Sequence, residues 1–247
     1  ISGGAVGLGS PGSALVVPAA GLAVLGVVGL GVWERGRPNA ILPVDLFGNR
    51  QFVAANLVTF VVYGGMGTVF FLLSIQLQVA AGWSPLEAGA SLLPVTLLML
   101  VFSSRAGAWA GRVGPRVPLT VGPLVIAAGM LLMTRIDADA TFVADVLPAV
   151  VVFGAGLSVT VAPVTSAALG SAPDARVGAA SGTNNAVART GTLLVVAAVP
   201  TVVGLGGDGL SDPLALDSGF PLAMLVGAGL VASGAVIAAV MFRGQDA

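Results

Sequence analysis

Seven apolar stretches follow one another along the chain, at about residues 14–33, 52–78, 88–104, 117–134, 144–169, 184–205 and 220–242. With a rise of about 1.5 Å per residue, a helix of such length crosses a hydrocarbon core about 30 Å thick. Backbone amides in lipid must be satisfied inside their own segment, so successive runs of this kind fold as membrane helices joined by polar hairpins. Composition agrees with this reading. Charged residues make up 9% of the chain, hydrophobic residues 56%, and the mean hydropathy is +1.02, whereas soluble domains carry roughly 25% charge. The predicted class is an all-α membrane protein with about seven transmembrane helices.

The few charges are placed unevenly. Arg112 and Arg116 lie in the segment 107–116, read as a short basic hairpin between two apolar runs, with Arg105 just before it and no acid among them. Taking the stretches as alternating crossings puts Arg35, Arg37, Arg50, Arg105, Arg112, Arg116, Arg176, Arg189 and Arg243 on one side and Arg135 alone on the other. Short cytoplasmic loops collect arginine, so residues 34–51 are expected to form a cytoplasmic linker and 243–247 a cytoplasmic tail. Residues 1–13 are rich in Gly and Ser and lack an initiator Met. They read as a loop remnant of a longer chain, and 14–33 as a linker helix.

Polar groups at membrane depth are the candidates for function, because they are expected to face a bundle interior or a wet cavity. In the second stretch Asn56, Thr59, Tyr63, Gly67, Phe70 and Ser74 recur at helical spacing along one face. Two readings stay open: the stripe lines a cavity, or its small residues let helices pack closely. In the fifth stretch Ser158 shares a face with Gly154, Ala162 and Thr165. The substrate-binding candidates are therefore Asn56, Thr59, Tyr63, Phe70 and Ser158. Arg189 falls little more than a turn inside the sixth stretch, where it snorkels to the interface or meets an anionic substrate or lipid headgroup. Ser84, Pro85 and Glu87 form a capping-box pattern with Pro at the first helical position.

Several chemistries are excluded by residue type. The chain has no His, Cys or Lys, which removes thiolate, imidazole and Ser-Lys catalysis together with Cys/His metal sites. A metal site from Asp137, Asp139 and Asp145 is conceivable but not expected, because an oxygen-only site usually gathers more ligands. No Gly-rich motif ends in Lys-Ser or Lys-Thr, so the chain carries no phosphate loop. An enzyme, a cofactor, a metal and a nucleic-acid partner are all unexpected. No acidic residue lies in the core of any stretch, so a proton-coupling carboxylate would have to lie elsewhere in the protein. The expected partners are a small-molecule substrate and the bilayer.

At the arginine hairpin a family resemblance emerges. Gly107, Ala110-Gly111-Arg112, and Gly114-Pro115-Arg116 resemble the basic loop in the C-terminal half of major facilitator superfamily transporters. Leu46-Phe47-Gly48-Asn49-Arg50-Gln51-Phe52, Ser84-Pro85-Leu86-Glu87-Ala88-Gly89 with Leu93-Pro94, and Gly178-Ala179-Ala180-Ser181-Gly182 with Arg189 resemble the fourteen-span drug/proton antiporters among them. The resemblance implies that residues 52–242 are the C-terminal six-helix bundle of such a transporter and that an N-terminal bundle is absent. It also implies that Gly107, Arg112, Gly114 and Arg116 belong to a cytoplasmic latch, although Gly111 stands where the family has an Asp. The activity implied is proton-coupled export of drugs or other hydrophobic or cationic molecules by alternating access. The same fold exporting a specific lipid, sugar precursor or metabolite, or serving as a non-transporting scaffold, is the alternative.

Overall fold

The computed structural model describes Gly29 and residues 44–242. The expected linker helix at 14–33, most of the linker 34–51 and the tail 243–247 lie outside the described residues. By compactness the chain divides into Ile1–Asp45 and Leu46–Ala247, and the second unit holds the helical bundle.

The regular elements of this unit, among the described residues, are all helical. We label them α1 (Arg50–Ile75), α2 (Pro85–Ala90), α3 (Leu93–Val113), α4 (Arg116–Met133), α5 (Leu147–Gly170), α6 (Val177–Val202) and α7 (Pro213–Met241). Single π turns, Gln76–Ala80 and Phe142–Val146, extend α1 and precede α5. With these extensions and with α2 counted onto α3, six helical segments are long and apolar enough to cross a membrane. α1 is started by Asn49, whose side chain accepts from the N–H groups of Gln51 and Phe52. The reciprocal Ser84/Glu87 capping box is present at α2.

The packing order follows from which helices touch. α1 packs against α5, α6 and α7, α5 also packs against α3 and α4, and α4 packs against α7. The bundle is therefore a row α3–α5–α1–α6 backed by α4 and α7. On the backing helices, Val117, Val121, Leu124 and Leu131 of α4 and Leu222, Leu225, Val236 and Val240 of α7 are exposed. These apolar stripes at helical spacing suit lipid contact.

Glycine lets the two layers approach. A Cβ on Gly129 of α4 would stand 2.5 Å from the Phe153 backbone nitrogen of α5, and one on Gly156 of α5 would stand 2.5 Å from the Ile126 nitrogen of α4. Backbone cannot rotate away, so both positions are restricted to glycine by their neighbours.

Three sequence expectations need correction. The segment 107–116 is not a ten-residue loop: α3 continues through Val113, and only Gly114 and Pro115 separate it from α4. Alanines 106, 108 and 110 carry the helix beyond its apolar part, because low hydropathy does not end a helix whose propensity is high. The third stretch is broken near its start, with α2 ending at Ala90 and α3 beginning at Leu93, so Pro94 occupies the first turn of α3 and not a helix interior. The sixth stretch begins at Val177, seven residues before the expected 184. Its first two turns are small and polar, yet Ala180 is buried against Leu46 and Phe52.

Candidate functional site

The polar stripe on α1 divides into two parts that do different things. Asn56 and Thr59, at its start, are buried. Asn184 of α6 reaches across to both: its Nδ2 donates to Thr59 Oγ1 at 2.9 Å and to Asn56 Oδ1 at 3.3 Å. The Asn56 amide in turn donates to its own Phe52 carbonyl at 2.9 Å. These groups satisfy one another in the interior, so they fasten α1 to α6 and do not present free donors to a ligand. Asn184 is not among the residues that the sequence pattern singles out. Only the earlier start of α6, which turns the expected mouth of a helix into its interior, reveals its role.

One to four turns further along, the same face is partly open at Tyr63, Phe70 and Ser74, while Gly67 between them is buried against Thr192 and Val196 of α6. Tyr63 and Ser74 are half-buried and Phe70 is 39% exposed. Phe70 packs edge-to-face on Phe153 of α5, with ring centroids 6.2 Å apart. On the other flank, Thr192 Oγ1 of α6 donates to the Tyr63 carbonyl at 3.1 Å. A Cβ on Gly191 would lie 2.5 Å from the Phe60 carbonyl oxygen, so glycine holds α6 close to α1 at this level. The uncovered face of α1 is thus bordered by α5 and α6. Its depth is set by the helices: Tyr63 lies 13 residues into α1, about 20 Å from the helix start.

Arg189 belongs to this level. With α6 beginning at Val177, it is 12 residues inside a 26-residue helix and not just past its mouth. It is exposed, and its guanidinium is close enough to act electrostatically on the Tyr63 phenol.

Ser158 is not part of this face. It is buried, donates to the Gly154 carbonyl at 2.8 Å, and borders a separate pocket of about 470 Å³ between α3 and α5. Phe102, Arg105 and Trp109 line the other side of that pocket. The five candidates therefore fall into three places: a buried seam, an open mid-depth face and a lateral pocket.

The residues expected from the resemblance to form a latch bracket the α3/α4 turn. Gly114 has φ +78° and ψ 165°, a conformation essentially reserved to glycine. Gly107 and Arg112 are in the last turns of α3, and Arg116 opens α4. Arg112 and Arg116 are exposed and make no ion pair among the described residues.

Polar ties also mark the two ends of the bundle. At one end Arg50 Nη2 donates to the Val240 carbonyl of α7 at 2.7 Å, and Asn49 Nδ2 to the Ser171 carbonyl after α5 at 2.8 Å. At the other, Gln76 Nε2 donates to the Ile136 carbonyl at 3.3 Å and to Asp217 Oδ1 at 3.5 Å. The Asp137 and Asp145 carboxylates accept from the Asp139 and Thr141 N–H groups, ordering the loop between α4 and α5.

Two rows of helices long and apolar enough to cross a membrane, among the described residues, define a multi-pass membrane protein. The chain belongs to the Major Facilitator Superfamily, whose family model matches residues 1–196. It is 32% identical over 149 residues to the multidrug transporter protein MdtP of Bacillus subtilis, an overlap of 60% of this chain and 27% of that one. It is 30% identical over 170 residues to a tetracenomycin C resistance and export protein of Streptomyces glaucescens, covering 68% of this chain and 31% of the relative. With the cephamycin export protein CmcT of Amycolatopsis lactamdurans it shares 29% over 206 residues, 82% of this chain and 42% of the relative. The chain thus spans well under half the length of these relatives.

Proposed function

We propose that the chain is the C-terminal half of a proton-coupled drug exporter of the fourteen-span antiporter branch, working by alternating access in the bacterial plasma membrane. The observation that carries the reading is the partly open face of α1, where Tyr63 is half-buried and Phe70 39% exposed between α5 and α6. Polar and aromatic groups at membrane depth belong against protein or a wet cavity, so a second bundle on the same polypeptide faces the row α3–α5–α1–α6 and substrate binds between the two. Rocking of one bundle against the other then exposes the face to each side in turn. The relatives' names, multidrug transporter and antibiotic export protein, support drugs as the cargo.

Orientation follows from charge. Arg50, Arg112 and Arg116 gather at one set of helix ends, while Glu87, Asp137, Asp139, Asp208, Asp212 and Asp217 gather at the other with Arg135 as the lone base. The positive-inside rule puts the arginine end, and with it the C-terminus of α7, in the cytoplasm. No described carboxylate lies near the middle of a long helix, so the group that takes up the coupling proton is assigned to the other bundle.

The test is efflux by the full-length protein in inverted vesicles. Movement of several unrelated lipophilic drugs, abolished by an uncoupler, is expected. Uncoupler-resistant movement would overturn proton coupling, and no movement by correctly inserted protein would overturn drug export.

A further inference from the structure

Arg189 is placed deeper in its helix than any other described charge. It lies 12 residues from the start and 13 from the end of α6, about 18 Å from either. Arg105 is 8 residues from the end of α3, and Asp217 is 4 from the start of α7. A guanidinium about 18 Å along its helix is at the limit of what snorkelling can relieve, and lipid there is a poor surrounding for it. Yet it is exposed, and it has neither a hydrogen bond nor an ion pair among the described residues.

Two cross-helix ties fix the level at which it stands. α6 runs beside α1 in the same direction, joined by Asn184 to Thr59 and by Thr192 to the Tyr63 carbonyl. Arg189 lies between these ties, one turn before Thr192, and so shares the level of Tyr63. The Tyr63 hydroxyl, the only phenol in the chain, likewise has no hydrogen-bond partner among the described residues. A guanidinium and a phenol O–H at one level, neither with a hydrogen-bond partner among the described residues, ask for an acceptor bearing negative charge. Phe70 lies seven residues beyond Tyr63 on the same face of α1, about 10 Å along the axis, and supplies an aromatic surface next to them.

We propose that Arg189 and the Tyr63 hydroxyl form an anion-recognition point in the substrate cavity, which takes amphipathic organic acids. The acidic group, a carboxylate or ionised phenol, sits on the guanidinium, and an aromatic body of about 10 Å extends toward Phe70. This rests on the reading of the open face as the wall of a transport cavity, and narrows it: acidic members of the cargo engage this half through Arg189.

The experiment measures equilibrium binding of 9-anthracenecarboxylate and of its methyl ester to the purified full-length protein. It compares wild type, Arg189→Gln, Arg189→Lys and Tyr63→Phe, first in neutral detergent and then in nanodiscs with and without phosphatidylglycerol. Wild type is expected to bind the acid at least tenfold more tightly than the ester. Arg189→Gln should erase that preference while moving the ester's Kd less than twofold, Arg189→Lys should keep part of it, and Tyr63→Phe should weaken only the acid, by about threefold. An acid preference that is absent in wild type or survives Arg189→Gln, or an equal loss of acid and ester, overturns the proposal. Competition by phosphatidylglycerol that vanishes in Arg189→Gln, without any acid preference in detergent, assigns the arginine to a lipid headgroup and overturns it too. Failure here leaves uncoupler-sensitive efflux of neutral drugs intact, whereas failure of the transporter reading abolishes that efflux in wild type.

Discussion

Asn184 Nδ2 lies 2.9 Å from Thr59 Oγ1, joining residues 125 apart in sequence within the buried seam between α6 and α1. The same nitrogen also reaches Asn56, so one amide serves two acceptors on two turns of α1. Interhelical hydrogen bonds in membrane proteins average about 0.6 kcal/mol and reach about 1.7. Asn184→Ala and Thr59→Ala should therefore each lower stability modestly. Their double-mutant cycle should return a coupling of about 0.5–1.5 kcal/mol, measured by unfolding in mixed micelles. Additive losses would mean that the two side chains do not act together.

That pair also shows what the sequence can and cannot disclose. The 3.6-residue recurrence of Asn56, Thr59, Tyr63 and Phe70 is a local property, and it correctly put them on one helical face. Which of them would be covered depends on where α6 lies, and nothing local carries that information. The start of α6 escaped for a related reason. Its first turns, from Val177 to Thr183, are too polar for a hydropathy window, although Ala179 and Ala180 favour helix and Ala180 is buried by tertiary packing. A start at 184 puts Arg189 at a helix end, whereas the start at Val177 puts it at mid-helix. Ser158, chosen for its helical face, is satisfied by its own helix and borders a different pocket, which only the pairing of α3 with α5 creates.

Close approach of α4 and α5 predicts a sharp contrast among glycines. Gly129→Ala would push a methyl group against the Phe153 backbone, 2.5 Å from its nitrogen and 2.7 Å from its Cα. Overpacking of this kind costs about 1–3 kcal/mol even when side chains can adjust, and here they cannot. Gly182→Ala on α6 meets open space and gains helix propensity of up to about 1 kcal/mol. Thermal unfolding of the two purified variants should show a clear fall for the first and no fall for the second.

The α3/α4 turn makes a prediction of a different kind, because its constraint is backbone conformation. Gly114 holds φ +78° with ψ 165°, and a side chain there is strained by about 1–3 kcal/mol whatever space surrounds it. Gly107, in the helical part of the same motif, has its nearest neighbour, Ala162 Cβ, at 3.9 Å. Gly114→Ala should reduce the folded yield and the melting temperature, and Gly107→Ala should leave both near wild type. Equal tolerance at the two positions would show that the turn is free to change its geometry.

Gln76 offers the least obvious outcome. It is fully buried where α1 passes into its π turn, and its Nε2 donates to Ile136 and Asp217 while its Oε1 has no partner among the described residues. An unsatisfied buried acceptor carries a desolvation penalty of about 1–3 kcal/mol, and a typical hydrogen bond returns about 1. Replacing the amide by an apolar group of similar shape removes the unpaired Oε1 but takes the donor from the Ile136 carbonyl and Asp217, two changes of opposite sign and similar size. Gln76→Met should accordingly unfold within about 1 kcal/mol of wild type, despite losing two hydrogen bonds. Gln76→Ala leaves a void against Ile136 and should cost about 2 kcal/mol or more. If Met proves as damaging as Ala, the amide is contributing through its donors, and Oε1 is satisfied in the membrane by a group such as a bound water.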